Sequence, residues 1–301
     1  MMSVAPYVYD QQQMSVWLWA VIRRNGHEKG NEWLAQRWQL HQETATVAQF
    51  NQTFTAIPRF TGKHTITITQ EEHQLLQEAV PGFFVQGWTL DRLARVWWLL
   101  QLAVTDKTIY LDTLDKLFKA AEMNELAALY SALPLLPWPE EWIARTTEGI
   151  RSNIGIVQAA IMQQNPYPAQ YLPEPAWNQL VMKAIFTEKN IHLITGLDGR
   201  ANATLALMLT DFAHERWAAG RTVDPLQWRM LTHFTTAANL PDIIRVLQSA
   251  VSAEREAAAL VCAGSTYAPA KALLLQVPDI AAEIAAGTLT WQSVADKTTR
   301  S

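Results

Sequence analysis

One cysteine, Cys262, stands in a chain of 301 residues. A lone thiol excludes an internal disulfide and any zinc site built from cysteines. Charge is scarce too: Asp, Glu, Lys and Arg make up 17% of the sequence, below the usual quarter or so of a soluble domain. The formal net charge of −4 leaves no global basic field for nucleic acid and no polybasic tail for anionic lipid. No apolar run approaches the length of about 18 residues that a membrane-spanning helix needs. The opening MMSVAPYVYDQQQM lacks the basic n-region and long apolar h-region of a signal peptide. These absences lead to the expectation of a soluble, cytoplasmic protein with no nucleic-acid partner and no transmembrane segment. The Gly-x-Ser-x-Gly elbow, the dinucleotide fingerprint and the P-loop are also missing, which removes the commonest hydrolase and nucleotide-binding signatures.

What is present is apolar, aromatic and helical in pattern. Hydrophobic residues make up 49% of the chain, with 13 tryptophans, which either line an apolar pocket or fill gaps between helices. Residues 4–38 carry aliphatics and tryptophans at helix spacing, interrupted at Asn25-Gly26, and the second helix is expected to run on to about Phe54. The segment IPRFTGKHTITITQ (57–70) alternates like a strand and is expected to be an extended connector or one hairpin, with Arg59, Lys63 and His64 clustered on it. Thr69 and Glu72 form a capping box for a helix ending at Ala79, stopped by Pro81-Gly82. Thr89 then caps a strongly amphipathic helix, LDRLARVWWLLQLAV, with two further helical stretches to residue 136. Asp112 and Asp115 form a DxxD pair, read as the acidic first turn of a helix more readily than as a divalent-ion site.

Three prolines in LPLLPWPEEW (133–142) mark a break, which suggests an N-terminal helical region over 1–136 and a C-terminal one over 137–301. Helices are expected at 139–163, 174–188, 201–219 and 225–236, then as short alanine-rich segments to the end. Helical pairs of that length can stack side by side. The fold class is therefore all-α, a multi-helix array, with a HEAT-like α-solenoid as one arrangement open to the C-terminal part.

Polar chemistry concentrates between Glu148 and Trp228, inside patterns that otherwise look buried. Burying such groups costs several kcal/mol each unless they are paired, so the stretch is either a polar network or a site. On the expected 139–163 helix, Arg145, Glu148, Arg151 and Ser152 share a face, with Asn153 beside it. The proline-rich NPYPAQYLPEPAW is expected to be a rigid, non-helical crossing that offers Tyr167, followed by Trp177 and Asn178 on the next helix. GLDGRAN places Asp198 and Arg200 at a glycine-flexed helix start suited to a small anion or an ordinary capped turn. In DFAHERWAAGR, Asp211, His214 and Glu215 share a helical face. They form an acid–base candidate, a weaker metal candidate or an interhelical clasp, while Arg216, Trp217 and Arg221 flank them. The HExxH zinc pattern is absent, so no metal ligand and no cofactor is assigned.

Taken together and in order, IPRFTGK, LYSALPLLPWPEEW, EGIRSNI, NPYPAQY, AWNQLVMKAIF, GLDGRAN and AHERWAAGR with VDPLQWR make the chain resemble the EboA family over about residues 50–235. The resemblance implies one EboA-like domain over that span. It further implies a soluble product of a bacterial gene cluster that also encodes a prenyltransferase-like membrane protein, a metal-hydrolase-like protein and a cyclitol-synthase-like protein. That cluster is associated with secondary metabolism, including passage of scytonemin precursors to the periplasm. The resemblance assigns no catalytic residue. Three functions follow as expectations: an accessory protein binding a small-molecule metabolite or pathway proteins in biosynthesis and export; an enzyme on a prenylated or cyclitol-derived substrate using Asp211, His214 and Glu215; or a pure helical scaffold. Low charge and many tryptophans also make a homodimer plausible on composition.

Overall fold

A computed structural model describes residues 7–44 and 46–298. Among them lie seventeen α-helices and five 3-10 helices, and the only strand-like pairing is one isolated antiparallel bridge between Thr65 and Thr89. The chain is all-α. Its contacts divide it into two units, Met1–Leu172 and Pro173–Ser301, and the division falls inside the proline-rich NPYPAQYLPEPAW segment.

The first unit carries α1 (Gln11–Asn25), α2 (Glu28–Thr44), α3 (Val47–Thr61), α4 (Gln70–Ala79) and α5 (Leu90–Leu99). It continues with α6 (Lys107–Ala120), α7 (Met123–Ala132), α8 (Ile143–Ile150), α9 (Gly155–Met162) and α10 (Tyr167–Tyr171). The expected continuous second helix is two helices. Thr46 takes extended backbone angles and its side chain accepts from the Gln49 N–H, which starts α3 afresh. The connector expected from Ile57 onward is likewise corrected: Ile57–Thr61 is the last turn of α3, which ends at Gly62 with φ +84°. The remainder is tied down, since Thr67 N–H donates to Asn25 Oδ1 (2.8 Å) and His64 Nε2 meets the Asn25 carbonyl (2.9 Å).

At the centre of this unit is α5, against which α1, α3 and α7 pack. Every residue of α5 except Arg92 is buried, so the helix read as strongly amphipathic is enclosed nearly all round. Its charges are accommodated by pairing. Arg95, 1% exposed, contacts Asp91 at 3.1 Å and Glu125 of α7 at 3.6 Å. Its Nε also donates to the Phe54 carbonyl at 3.2 Å. That carbonyl lacks its helical partner because the residue four positions on is Pro58, which has no N–H. The proline in α3 and the arginine in α5 thus meet one structural need. Thr69 and Glu72 form the expected capping box on α4, whereas Thr89 occupies the cap position of α5 without donating or accepting a capping bond.

Leu133–Trp142 is a packed corner within this unit. Leu133, Leu135 and Leu136 are buried and Trp142 Nε1 donates to the Pro137 carbonyl at 2.9 Å. The prolines of NPYPAQYLPEPAW also start helices rather than exclude them, with Pro166 and Pro168 framing α10 and Pro175 in the first turn of α11.

The second unit holds α11 (Glu174–Phe186), α12 (Ala203–Ala218), α13 (Leu240–Leu247), α14 (Ser252–Gly264), α15 (Ala268–Ala272), α16 (Pro278–Ala285) and α17 (Trp291–Thr298). Pro225–Leu231 winds as a 3-10 helix where the pattern predicts α-helix to residue 236. The Thr235 hydroxyl turns back onto the Leu231 carbonyl, and Asn239 accepts the Thr236 N–H, so these side chains close the segment as turns. The alanines of α14 let neighbours approach on all sides: α13, α15, α16, α17 and the Pro225–Leu231 helix all touch it.

Cys262 lies in α14, fully buried, and burial pushes its thiol up to about 11. The thiolate fraction at neutral pH is then on the order of one in ten thousand. A thiol-counting reagent should therefore titrate almost nothing in the native protein at pH 7 and one full equivalent in denaturant.

Candidate functional site

The residues singled out between Glu148 and Arg221 fall in both units. In the first, the expected helix over 139–163 is interrupted: α8 ends at Ile150 and residues 151–154 make a corner before α9. Ser152 accounts for the corner. Its hydroxyl accepts the Ile154 N–H at 3.1 Å and its carbonyl accepts from Gln158 Nε2 at 2.9 Å. Glu148 is exposed and paired with Arg145 at 2.9 Å, and Arg151 and Asn153 are exposed at the corner. Arg145 also pairs with Asp115, whose carboxyl is held below its usual range first by the Lys119 hydrogen bond and then by Arg145. Asp112 pairs with Lys116 at 2.6 Å, so the DxxD carboxylates face cations of the chain itself. Gly149 has a packing reason: a β-carbon there would lie 2.5 Å from the Tyr130 ring, which is rigid. Tyr167 is fully buried, its hydroxyl donating to the Pro139 carbonyl at 2.5 Å. It holds α10 to the corner.

In the second unit, several predicted residues do meet. Asn178 of α11, buried, and Asn202, the N-cap of α12, exchange side-chain amide bonds at 3.2 and 2.8 Å. Asn202 Oδ1 also accepts the Leu205 N–H at 2.8 Å, so one asparagine starts α12 and pins it to α11. Arg200 lies over the ring of Trp177, 5.1 Å from its centroid, and Trp177 itself is buried. Asp198 accepts from Nε and Nη2 of Arg229, both at 2.5 Å, and Arg229 Nη1 reaches His192 at 3.2 Å. GLDGRAN is thus a capped, clasped helix start, with its acidic residue already engaged.

Asp211, His214 and Glu215 do share an exposed face of α12. The partner of His214, however, is Asp242 of α13, 2.8 Å from Nε2. Neighbouring Trp217 stacks on Trp228 at 5.7 Å and carries the Arg245 guanidinium at 4.0 Å. His214, Trp217 and Arg245 thereby clasp α12 to α13.

Arg216 and Arg221 open instead onto a cleft of about 790 Å³. The end of α11, the end of α12 with the following loop, the start of α14 and the end of α17 form its walls. Sequence reading missed most of these walls: Phe186, Lys189 and Val251 were not singled out, although a phenylalanine at the last position of a helix before Thr187-Glu188-Lys189 is a signal. Phe186 is 73% exposed and Val251 52%, which is unusual for large apolar side chains. Lys189 is placed by a helix-ending motif in which its N–H bonds Ala184 and that of Glu188 bonds Ile185. Glu188 there adopts φ +54°, a conformation that costs a side-chain-bearing residue about 1 kcal/mol. Asp224 accepts the Leu226 N–H at 2.9 Å, and burial raises its pKa.

The fold and this cleft define an all-helical protein with a preformed cavity whose lining mixes apolar side chains with charges of both signs. Among the described residues no helix is long and apolar enough to cross a membrane, and no three potential metal ligands cluster. A family model described as metabolite traffic protein EboA matches residues 11–232, and the chain belongs to the EboA family. No curated protein and no solved structure matches. The matched region supplies the α11 and α12 walls of the cleft, while α14 and α17 lie beyond it.

Proposed function

We propose that the chain is a cytoplasmic accessory protein of a biosynthesis and export pathway that binds a metabolite in the cleft of its second unit. The observation that carries this reading is the cleft itself. Its volume lies in the range of small-molecule sites, about 300–1,000 Å³, and it presents exposed Phe186 beside cationic side chains. The family description, metabolite traffic, agrees with such a role. Catalysis by Asp211, His214 and Glu215 draws less support, because the His214 imidazole is engaged by Asp242 in a helix–helix clasp.

Native mass spectrometry of the full chain purified from its host tests the proposal. The expected result is a discrete low-mass adduct on the wild type that is lost from Phe186→Asp while the variant's helical content stays the same. An adduct-free wild type would overturn it and favour the scaffold reading.

A further inference from the structure

We propose that α17 is a gate, a helix that unlatches to admit and release the ligand of the cleft; this rests on the cleft being the binding site. The end of α17, at Lys297 and Thr298, forms one wall of the cleft. It is the wall with the least apolar anchorage. α11 buries Trp177, Leu180, Val181 and Ile185, α12 buries Leu205 and Leu209, and α14 buries Leu260 and Val261 among its alanines. α17 buries Val294 and Ala295 alone, and Trp291 in its first turn is only partly covered. The chain leading into it is held no better: α16 has no buried residue, and between Leu273 and Val294 only Leu289 is buried. Valine and alanine remove far less apolar area from water than the side chains beneath the other walls. α17 therefore belongs to the low-stability end of the fold, from which lids are drawn.

Polar ties at its two ends hold α17 shut. In the first turn Gln292 Nε2 donates to Asp296 at 2.8 Å, which turns Gln292 Oε1 toward His192, whose Nε2 donates to it at 2.7 Å. The other ring nitrogen accepts from Arg229 at 3.2 Å, so this tie runs on into the Pro225–Leu231 helix. In the last turn Lys297 donates to both carboxylate oxygens of buried Glu256 of α14, at 2.8 and 2.7 Å. Gln292 and Lys297 are themselves exposed, so water replaces each partner as it leaves and enters to hydrate Glu256. Gly287, with φ +72°, makes the turn between α16 and α17, and a β-carbon there would meet nothing within 4 Å. The pivot is unobstructed.

Hydrogen exchange and thiol labelling of the full chain test the gate without any ligand. The amides of α17 are expected to exchange at least about a hundredfold faster than those of α14. Gln292→Ala removes one tie at an exposed position. It should speed α17 exchange by about three- to tenfold and leave α11 and α14 as in wild type. Fraying of a terminal helix would do the same, so a second readout separates the two. Ala253 and Val223 are buried and line the cleft, whereas Cys262 is buried outside the lining and reports any global opening. Iodoacetamide should label Ala253→Cys, and independently Val223→Cys, faster in the Gln292→Ala background by the same factor as α17 exchange, with Cys262 silent. Labelling indifferent to Gln292→Ala while α17 exchange quickens would reduce α17 to a fraying end. Exchange of α17 in step with α14 would overturn the gate outright. The native adduct decides the other question: an adduct indifferent to Phe186→Asp removes the cleft as the binding site, while the two ligand-free readouts still report whether α17 opens.

Discussion

Arg95→Ala is expected to destabilise the first unit by about 3–5 kcal/mol, the cost of leaving a buried charge without its partner. For a unit of this size that lowers the midpoint of its thermal unfolding by on the order of 10 °C. Three losses coincide. Asp91 and Glu125, both buried, lose their cation, and the Phe54 carbonyl loses the donor that stands in for the missing proline N–H. The guanidinium also leaves the face of Phe54, 5.4 Å from the ring centroid. Burial lowers the pKa of Arg95, and Asp91 and Glu125 oppose that shift. The triple change Asp91→Asn, Arg95→Met, Glu125→Gln separates charge from shape. It removes every ionised group of the network while keeping an unbranched apolar side chain at position 95, and it should recover most of the loss. The part it fails to recover combines the unpaired Phe54 carbonyl with the lost contact over the Phe54 ring. Differential scanning calorimetry of the three proteins decides the matter, and an Arg95→Ala midpoint within experimental error of wild type would show that water satisfies the site.

That network also shows where local reading stops. Asp91 and Arg95 stand four apart on a helix, a spacing that reads equally as a solvent-exposed pair. Nothing within α5 reveals that Glu125 arrives from α7 or that Pro58 has orphaned a carbonyl in α3. Local signals worked where the chemistry was local: the Thr69–Glu72 capping box, the Asn25-Gly26 stop and the alanine-rich helices of the second unit are all found as expected. They failed where a side chain outweighed periodicity, as at Ser152, whose two bonds break a helix that the pattern continues.

The candidate site divides the same way. The register of Asp211, His214 and Glu215 was legible, because three- and four-residue steps fix a helix face. Asp242, which engages His214, sits on another helix and carries no mark of it in sequence. The cleft draws its walls from four helices far apart in the chain, and its most informative feature, the exposure of Phe186, is a property of packing alone.

Trp177 tests whether the polar and aromatic stretch around it is site or support. The sequence places it among ligand-binding candidates; the structure buries it completely beneath Arg200, and it does not line the cleft. Trp177→Ala should therefore behave as a core deletion, costing about 3–5 kcal/mol and lowering the unfolding midpoint of the second unit. Trp177→Phe keeps a ring beneath the guanidinium and removes an indole N–H that has no acceptor among the described residues. It should cost much less and leave the native low-mass adduct as in wild type. The reverse pattern, normal stability with lost affinity in Trp177→Phe, would put the indole in contact with ligand and return this stretch to the binding site. A tryptophan that anchors α11 through Arg200, next to an asparagine that anchors α12, instead makes the stretch a frame. On this account GLDGRAN and AWNQLVMKAIF hold α11 and α12 in register, and the ends of those helices carry Phe186, Arg216 and Arg221 to the cleft.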